Sequence, residues 1–493
     1  MRPYGGAGGA GGADAACCVP TVVAALLLLW VCRDLPTRGF AADDFEWLLR
    51  ISTPVTLPDL LRAAFDPLLA EHFYRPLQWL LLAGQHALAG TDARLYHVVS
   101  IGLHLANGLL LASLVVRFFP DKRGALIASC AGAWLLLHPA AYEAVVWISA
   151  QADLLLTLLL LLMLHLWLAG LRLLALVALA LALLTKETAV VGVVLLALAG
   201  GSWRRLLPPA LLTVVYLGLQ LSILGQNTVV DTANYAFGLQ MIRNPLVMLG
   251  TLVLPGTTPA VQGVVGVGVV IGMVIAGTLH AAGVGGGDAA GAGGRRITMR
   301  RYGSGARRGA GAAHHDAPVR GRRWRGARRG GGRSMLRPYG MLAVALLPTA
   351  PFLGTPDSRY MYLPVALAGL MLAHLLRRVP WLALGIAIVL MILGTPVYRA
   401  REVQFAKDSA PGGSLFALAQ AECAAGRLNR MLIVDPPLAA GHAQAAVRLA
   451  CGERPRPIVV TSTQIADELR TSSLVVAFVD GGARVVQRTA APR

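Results

Sequence analysis

The chain has 493 residues, 56% of them hydrophobic, with a mean hydropathy of +0.62. A soluble domain needs a polar skin, and the apolar excess here lies in runs such as 19–31, 154–168, 171–184 and 381–393 that lack the polar face of a soluble helix. The net charge of +19 invites a nucleic-acid reading, but thirteen Arg against one Asp fall between Arg295 and Arg333 and much of the remainder sits at helix ends, so no nucleic-acid partner is expected.

In chain order, residues 1–18 read as a disordered Gly/Ala-rich N-terminus without the cleavage site of a signal peptide, and the run after it as a retained helix. At 1.5 Å per residue, about 20 residues cross about 30 Å of hydrocarbon. Eleven spans are expected, at 19–32, 95–118, 125–137, 154–168, 171–184, 189–199, 206–224, 261–279, 341–353, 360–376 and 381–396. Arg117, Lys122, Arg123, Arg172, Arg204, Arg205, Arg377 and Arg378 then all fall on one face. By the positive-inside rule that face is cytoplasmic, with the N-terminus inside and the C-terminus outside an integral, multi-pass plasma-membrane protein; Arg33, Arg399 and Arg401 are exceptions.

The outer loop 33–94 carries two short amphipathic stretches, 57–65 and 76–88, and 244–254 suits a re-entrant or surface segment. The core therefore spans 19–282 and resumes over 337–398. Between them, 283–336 is a Gly/Arg-rich disordered cytoplasmic segment. It is either a holder of anionic headgroups or the product of a shifted reading frame, and no chemistry is assigned to it. The tail, 399–493, alternates β-prone runs (431–434, 458–461, 474–479) with helix-like ones (439–450, 462–470) and reads as a small extracytoplasmic α/β domain. Cys423 and Cys451 lie in it and can pair outside the cytoplasm. The fold class is thus an all-α polytopic membrane protein with a C-terminal α/β domain.

Five constellations fall on the expected outer face. They are Asp43–Asp44 within Phe-Ala-Ala-Asp-Asp-Phe; Tyr74, Arg75 and Pro76 within Glu-His-Phe-Tyr-Arg-Pro-Leu; His138, Glu143, Trp147, Ser149 and Asp153; Lys186–Glu187; and Arg359–Tyr360. Each taken alone reads as well as a solvated loop charge, a hairpin ion pair or an interface anchor. Together they place carboxylates and cations at the ends of different helices, where ionisable groups are costly and tend to have a task. Such a set suits an anionic lipid-linked substrate, with cations for its phosphate and a carboxylate for an attacking hydroxyl.

The ordered motifs Asp-Asp-Phe, Tyr-Arg-Pro-Leu, Tyr-His-x(6)-His-x-x-Asn (Tyr96, His97, His104, Asn107), His-Pro-x(3)-Glu-x(3)-Trp-Ile-Ser-x-x-Ala-Asp, Leu-Thr-Lys-Glu and Arg-Tyr-x-Tyr-Leu-Pro resemble the GT-C glycosyltransferase superfamily. The likeness is to the membrane region of transmembrane tetratricopeptide-containing O-mannosyltransferases and their bacterial relatives. It runs over roughly 40–200 and again near Arg359. The resemblance implies a GT-C fold and transfer of a sugar from a polyprenyl-phosphate donor to an acceptor hydroxyl, on a protein or glycan, commonly with anomeric inversion. It makes Asp44 or Asp43 the base, with Asp44 favoured, and Asp153 a second acid. Arg75, Lys186 and Arg359 become holders of the donor phosphate, and His138, Glu143, Glu187, Tyr74 and Tyr360 further site candidates. No resident cofactor is implied; a divalent cation beside the acidic pair is left open, since no ligand spacing calls for one. A short tail stands where those relatives carry a tetratricopeptide array, Ser358 where an acid is frequent, and Gln151 where a basic residue is common. A flippase for a lipid-linked precursor and a non-catalytic membrane scaffold are the alternatives; the first predicts repeats and mid-membrane polar residues that the sequence does not display.

Overall fold

A computed structural model describes residues 10–52, 56–67, 73–118, 124–224, 238–283, 337–426, 428, 430–452, 456–462 and 474–488. Its helices are α1 (Ala10–Val31), α2 (Asp44–Ser52), α3 (Leu57–Phe65), α4 (Pro76–Ala89), α5 (Ala93–Phe118), α6 (Gly124–Leu137), α7 (Tyr142–Val146), α8 (Gln151–Leu168), α9 (Arg172–Thr185), α10 (Val191–Leu198) and α11 (Trp203–Leu224). They continue as α12 (Gln240–Thr251), α13 (Pro259–Gly283), α14 (Arg337–Leu346), α15 (Tyr362–Leu376), α16 (Pro380–Val389), α17 (Thr395–Ala424) and α18 (Ala440–Cys451). Local chemistry sets several ends. Pro76 opens α4, where a missing N–H costs nothing, and Gly90 closes it at φ +55, while Gly170 takes φ +81 in the tight turn between α8 and α9.

Among the described residues, six helices are long and apolar enough to cross a membrane, at Val19–Thr37, Ala93–Phe118, Ile148–Leu168, Trp203–Ile223, Ser358–Leu376 and Pro380–Ala424. A seventh forms if α6 and α7, bent by 51° across the intervening turn, count as one broken span. Of the eleven expected spans, those at 171–184, 189–199 and 261–279 coincide with the shorter apolar helices Arg172–Thr185, Glu187–Leu198 and Pro259–Ile275. That at 341–353 is shortened because α14 stops at Leu346 and tightens into a 3-10 turn at Leu347–Thr349.

Lipid tails are as apolar as the helices, so the bundle is held by close packing and buried hydrogen bonds rather than by hydrophobic exclusion. Thr21 Oγ1 donates to the Ser129 carbonyl at 2.8 Å, tying α1 to α6. Asn107 Nδ2 donates to the Leu154 carbonyl at 2.9 Å (α5 to α8), and Trp134 Nε1 to the Val365 carbonyl at 3.0 Å (α6 to α15). Outward faces are apolar: Leu211, Val214 and Val215 on α11 and Val264, Ile271 and Val274 on α13 are exposed, as a lipid-facing surface requires.

The helix α17 runs 30 residues from the bundle into the C-terminal domain, so the soluble unit expected from 399 begins inside a continuous helix. Strands β1 (Arg430–Val434), β2 (Arg456–Val460), β3 (Leu474–Val479) and β4 (Gly482–Arg488) form one sheet in the order β2-β1-β3-β4. β1 is parallel to both neighbours, with Leu432 opposite Ile458 and Val475, and β4 is antiparallel to β3. Asp480 and Gly481 make the β3–β4 turn at φ +51 and +75, the left-handed pair that a two-residue hairpin uses. A Cys423–Cys451 disulfide staples α17 to α18. The sequence reading missed α2 and β4, and α1 begins at Ala10 rather than after the expected disordered stretch. The expected segment 283–336 lies, from 284, outside the described residues, as do residues 463–473 of the second expected tail helix and its sequel.

The tightest helix contact is between α12 and α13. A Cβ on Gly266 would fall on the Leu246 carbonyl and one on Gly250 on the Gln262 carbonyl, whereas Gly268 has open space around it. Gly266→Ala is therefore expected to lower unfolding stability in detergent by about 1–3 kcal/mol through overpacking, and Gly268→Ala to leave the thermal midpoint within error. Equal midpoints for the two variants would sink this packing argument.

Candidate active site

Helix ends converge on one cavity. Asp153 sits in the first turn of α8, and Lys186 is the residue on which α9 stops, its backbone extended at φ −159. That reversal lets Lys186 Nζ reach both Asp153 oxygens, at 2.7 and 2.8 Å, with the two side chains 3% and 9% exposed. The next residue, Glu187, opens a 3-10 turn and receives Arg75, the residue ahead of Pro76 on α4, in a two-pronged contact at 2.8 and 2.9 Å. Such pairing is what permits charge at a buried helix end. The Arg75 guanidinium also lies over the Phe73 ring at 4.5 Å. Arg359, in the 3-10 turn Ser358–Met361 that leads into α15, stacks 4.4 Å from the Trp147 ring and pairs with half-exposed Asp357 at 3.0 Å. Tyr360 lies beneath Lys186 Nζ, 4.5 Å from the ring centre.

Between these groups is a cavity of about 220 Å³, lined by Asp43, Arg75, Asp153, Lys186, Arg359 and Tyr360 together with Ser149, Phe73 and the α2 residues Glu46, Trp47 and Arg50. Seven of the residues singled out in the sequence, Ser149 among them, thus share one space.

The acidic pair is split by its turn. Ala42 adopts φ +44, a left-handed conformation rare for alanine, and α2 starts one residue further on, at Asp44. Asp43 faces the cavity with its side chain 42% exposed, and Asp44 turns inward at 2%. Asp44 Oδ2 accepts the Ala41 N–H at 2.9 Å, and Oδ1 accepts the Ser149 N–H at 2.7 Å and the Ser149 hydroxyl. Burial outweighs these donors and pushes the Asp44 carboxyl up to about 7. Burial also opposes ionisation of Asp43, but the hydrogen bond and charge of His442, then the charge of Arg359, prevail and hold it below its ordinary range. Asp44, the residue expected as the base, is accordingly buried as a brace between the first loop and the head of α8, and Asp43 is the member of the pair that lines the cavity.

The remaining candidates stand behind the cavity wall. His138 Nε2 donates to the Leu252 carbonyl at 3.1 Å, its Nδ1 accepts the Ala140 N–H at 3.2 Å, and its ring packs on Trp134, so both nitrogens serve the bend between α6 and α7. Glu143 accepts the Arg359 backbone N–H at 3.2 Å and steadies that turn. The Tyr74 hydroxyl donates to the Phe65 carbonyl at 3.2 Å. Glu187 serves as the partner of Arg75. His104 Nδ1 meets the Tyr362 hydroxyl at 2.6 Å, Asn107 donates to the same oxygen at 3.2 Å, and Gln151 is buried in an amide network with Gln85, so these three brace the bundle interior. Missed in the sequence were Glu46 and Arg50, which share a face with Asp43 at helical spacing, and His442 of α18, whose Nε2 stands 3.0 Å from Asp43 Oδ1. Among the described residues no group of three or more His, Cys, Asp or Glu has metal-holding geometry. No protein-family model, curated protein or solved structure matches the chain.

The two aspartates are expected to behave oppositely. Asp44→Asn strands the Ala41 or Ser149 donor and costs about 1–3 kcal/mol; Asp43→Asn loses a half-exposed contact and costs about 1 kcal/mol or less. Because Asp44 in the fold binds its proton more tightly than an unfolded Asp, whose value is 3.8, its contribution is full below that value and declines as pH rises towards about 7. Melting curves from pH 4 to 8 should therefore show a fall with pH in the wild type that flattens in Asp44→Asn and persists in Asp43→Asn.

Proposed function

We propose that the chain is a multi-pass membrane glycosyltransferase of GT-C type that moves a sugar from a polyprenyl-phosphate donor to an acceptor hydroxyl. The observation that carries this reading is the cavity in which Asp43, Arg75, Asp153, Lys186 and Arg359, drawn from well-separated parts of the chain, meet at the head of an apolar bundle. A donor with a polyprenyl tail must present its phosphate at such a boundary, tail in the bilayer and sugar in the polar space.

The chemistry needs few parts. The acceptor oxygen forms a bond to the anomeric carbon as the bond from that carbon to the phosphate oxygen breaks; the acceptor proton passes to a carboxylate, and the phosphate departs with the electron pair. A single displacement inverts the anomeric centre. Asp43 is ionised at neutral pH and is the base. Arg359 is the best-placed cation for the leaving phosphate, since its partner Asp357 is 55% exposed and can be exchanged for phosphate at small cost. Arg75 and Lys186 are closed on Glu187 and Asp153 as neutral pairs; they shape the cavity and leave Arg359 as the cation for the phosphate. The Lys and Arg distribution supports placing this face outside the cytoplasm of the plasma membrane, and the Cys423–Cys451 disulfide agrees with an oxidising side for the C-terminal domain.

The closed Arg75–Glu187 and Lys186–Asp153 pairs also favour a second reading, a non-catalytic membrane scaffold. The two separate in reconstituted bilayers supplied with a short-chain polyprenyl-phosphate hexose and a hydroxyl acceptor. A transferase releases polyprenyl phosphate, Asp43→Asn and Arg359→Ala each lower turnover by about 100-fold or more, and the rate declines with acidity only below the ordinary carboxylate range. Unchanged turnover in Asp43→Asn would remove the assigned base. No release, with identical envelope glycans and glycoproteins by mass spectrometry in cells with and without the chain, would leave the scaffold.

A further inference from the structure

The C-terminal domain packs against α2, the helix whose Glu46, Trp47 and Arg50 line the cavity. Phe45 and Leu48 of α2, Leu415 and Ala419 of α17, and Ala443 and Ala446 of α18 belong to one buried apolar cluster. The seam is close: a Cβ on Gly412 would stand 2.8 Å from the Phe45 ring, and one on Gly441 2.8 Å from Glu46 Oε1, the movable end of that side chain. Directly after Gly441, His442 places Nε2 3.0 Å from Asp43 Oδ1 and 3.8 Å from Glu46 Oε1. α18 is held in this pose from behind by the Cys423–Cys451 disulfide, and Arg488 of β4 ties Glu422 of α17 with two contacts of 2.7 Å.

We propose that His442 is a positioning residue for Asp43: the C-terminal domain delivers its imidazole to Asp43 from behind the cavity lining and fixes the orientation of that carboxylate, so that the domain supports the site rather than being an appendage. Among the described residues no membrane helix offers Asp43 an equivalent side-chain donor, and Arg359 acts on it through charge. The groups facing the pair are Glu46 and Asp44 on α2 and Arg359 ahead of α15. The Asp43 hydrogen bond is the largest influence on His442 and raises its proton affinity, and the Asp43 carboxylate is held ionised in return. The kinetic part of this proposal rests on the transferase reading; the structural part does not.

The test uses the full chain in lipid nanodiscs with labelled histidine. The His442 imidazole resonance is identified as the signal missing from His442→Gln, and is titrated in the wild type and in Asp43→Asn. The expected result is protonation above the ordinary histidine range in the wild type and a move to lower pH in Asp43→Asn. In the donor-turnover assay His442→Ala should lower kcat about tenfold with KM for the donor little changed, and shift the acid limb to higher pH because Asp43 loses its cationic partner. His442→Gln, which can still donate to Asp43, should regain most of kcat at neutral pH. A titration insensitive to Asp43→Asn overturns the proposal, and so does a His442→Ala variant with wild-type kcat and pH limb. If the wild type turns over no donor, the transferase reading fails by itself and the titration alone decides whether His442 holds Asp43.

Discussion

A charge taken from water into a low-dielectric interior costs several kcal/mol unless an opposite charge goes with it. At the head of this bundle that constraint selects which helix ends meet. Lys186 ends α9 and Asp153 begins α8; Glu187 follows one residue later and Arg75 precedes α4. Each of these four charges is tolerable because its partner is within 2.9 Å. The adjacency of Lys186 and Glu187 then brings α4, α8 and α9 to one point, and the cavity is the space left among their ends. Removing Lys186 or Asp153 would leave the other as an uncompensated buried ion, and removing Arg75 or Glu187 a part-buried one, so the scaffold of the site and its electrostatics are one arrangement.

Environment rather than residue type divides the labour within the site. Asp43 and Asp44 are chemically identical neighbours, yet the left-handed Ala42 and the start of α2 aim one at the cavity and the other at the head of α8. The first remains ionised beside His442 and Arg359; the second is desolvated and becomes a brace. The cations divide in the same manner. Lys186 is committed to buried Asp153 and Arg75 to part-buried Glu187, whereas Arg359, stacked on Trp147, is paired with exposed Asp357.

The C-terminal domain extends this logic beyond the membrane. A 30-residue helix carries it out of the bundle, and a shared apolar cluster folds it back onto α2. Domain and outer loop thus share one packed core beside the cavity.

The apolar runs, their length and the Lys/Arg asymmetry made a helical membrane protein legible without coordinates, because lipid imposes a constraint that each segment must meet by itself. The β-prone runs at 431–434, 458–461 and 474–479 were legible for a similar local reason, whereas the amphipathic and half-exposed β4 carried too weak a pattern. Asp43, Arg75, Asp153, Lys186 and Arg359 stood out by sitting where charge is expensive, whereas Glu46 and Arg50, on a short helix of the outer loop, did not. Which of them touch was decided by the fold: that Lys186 closes on Asp153 and Arg75 on Glu187, that Asp44 turns away, and that His442 arrives from 399 positions beyond Asp43. Hydropathy and propensity act over a few residues along the chain. Pairing of buried charge is satisfied in space, by whichever partner the packing brings within reach.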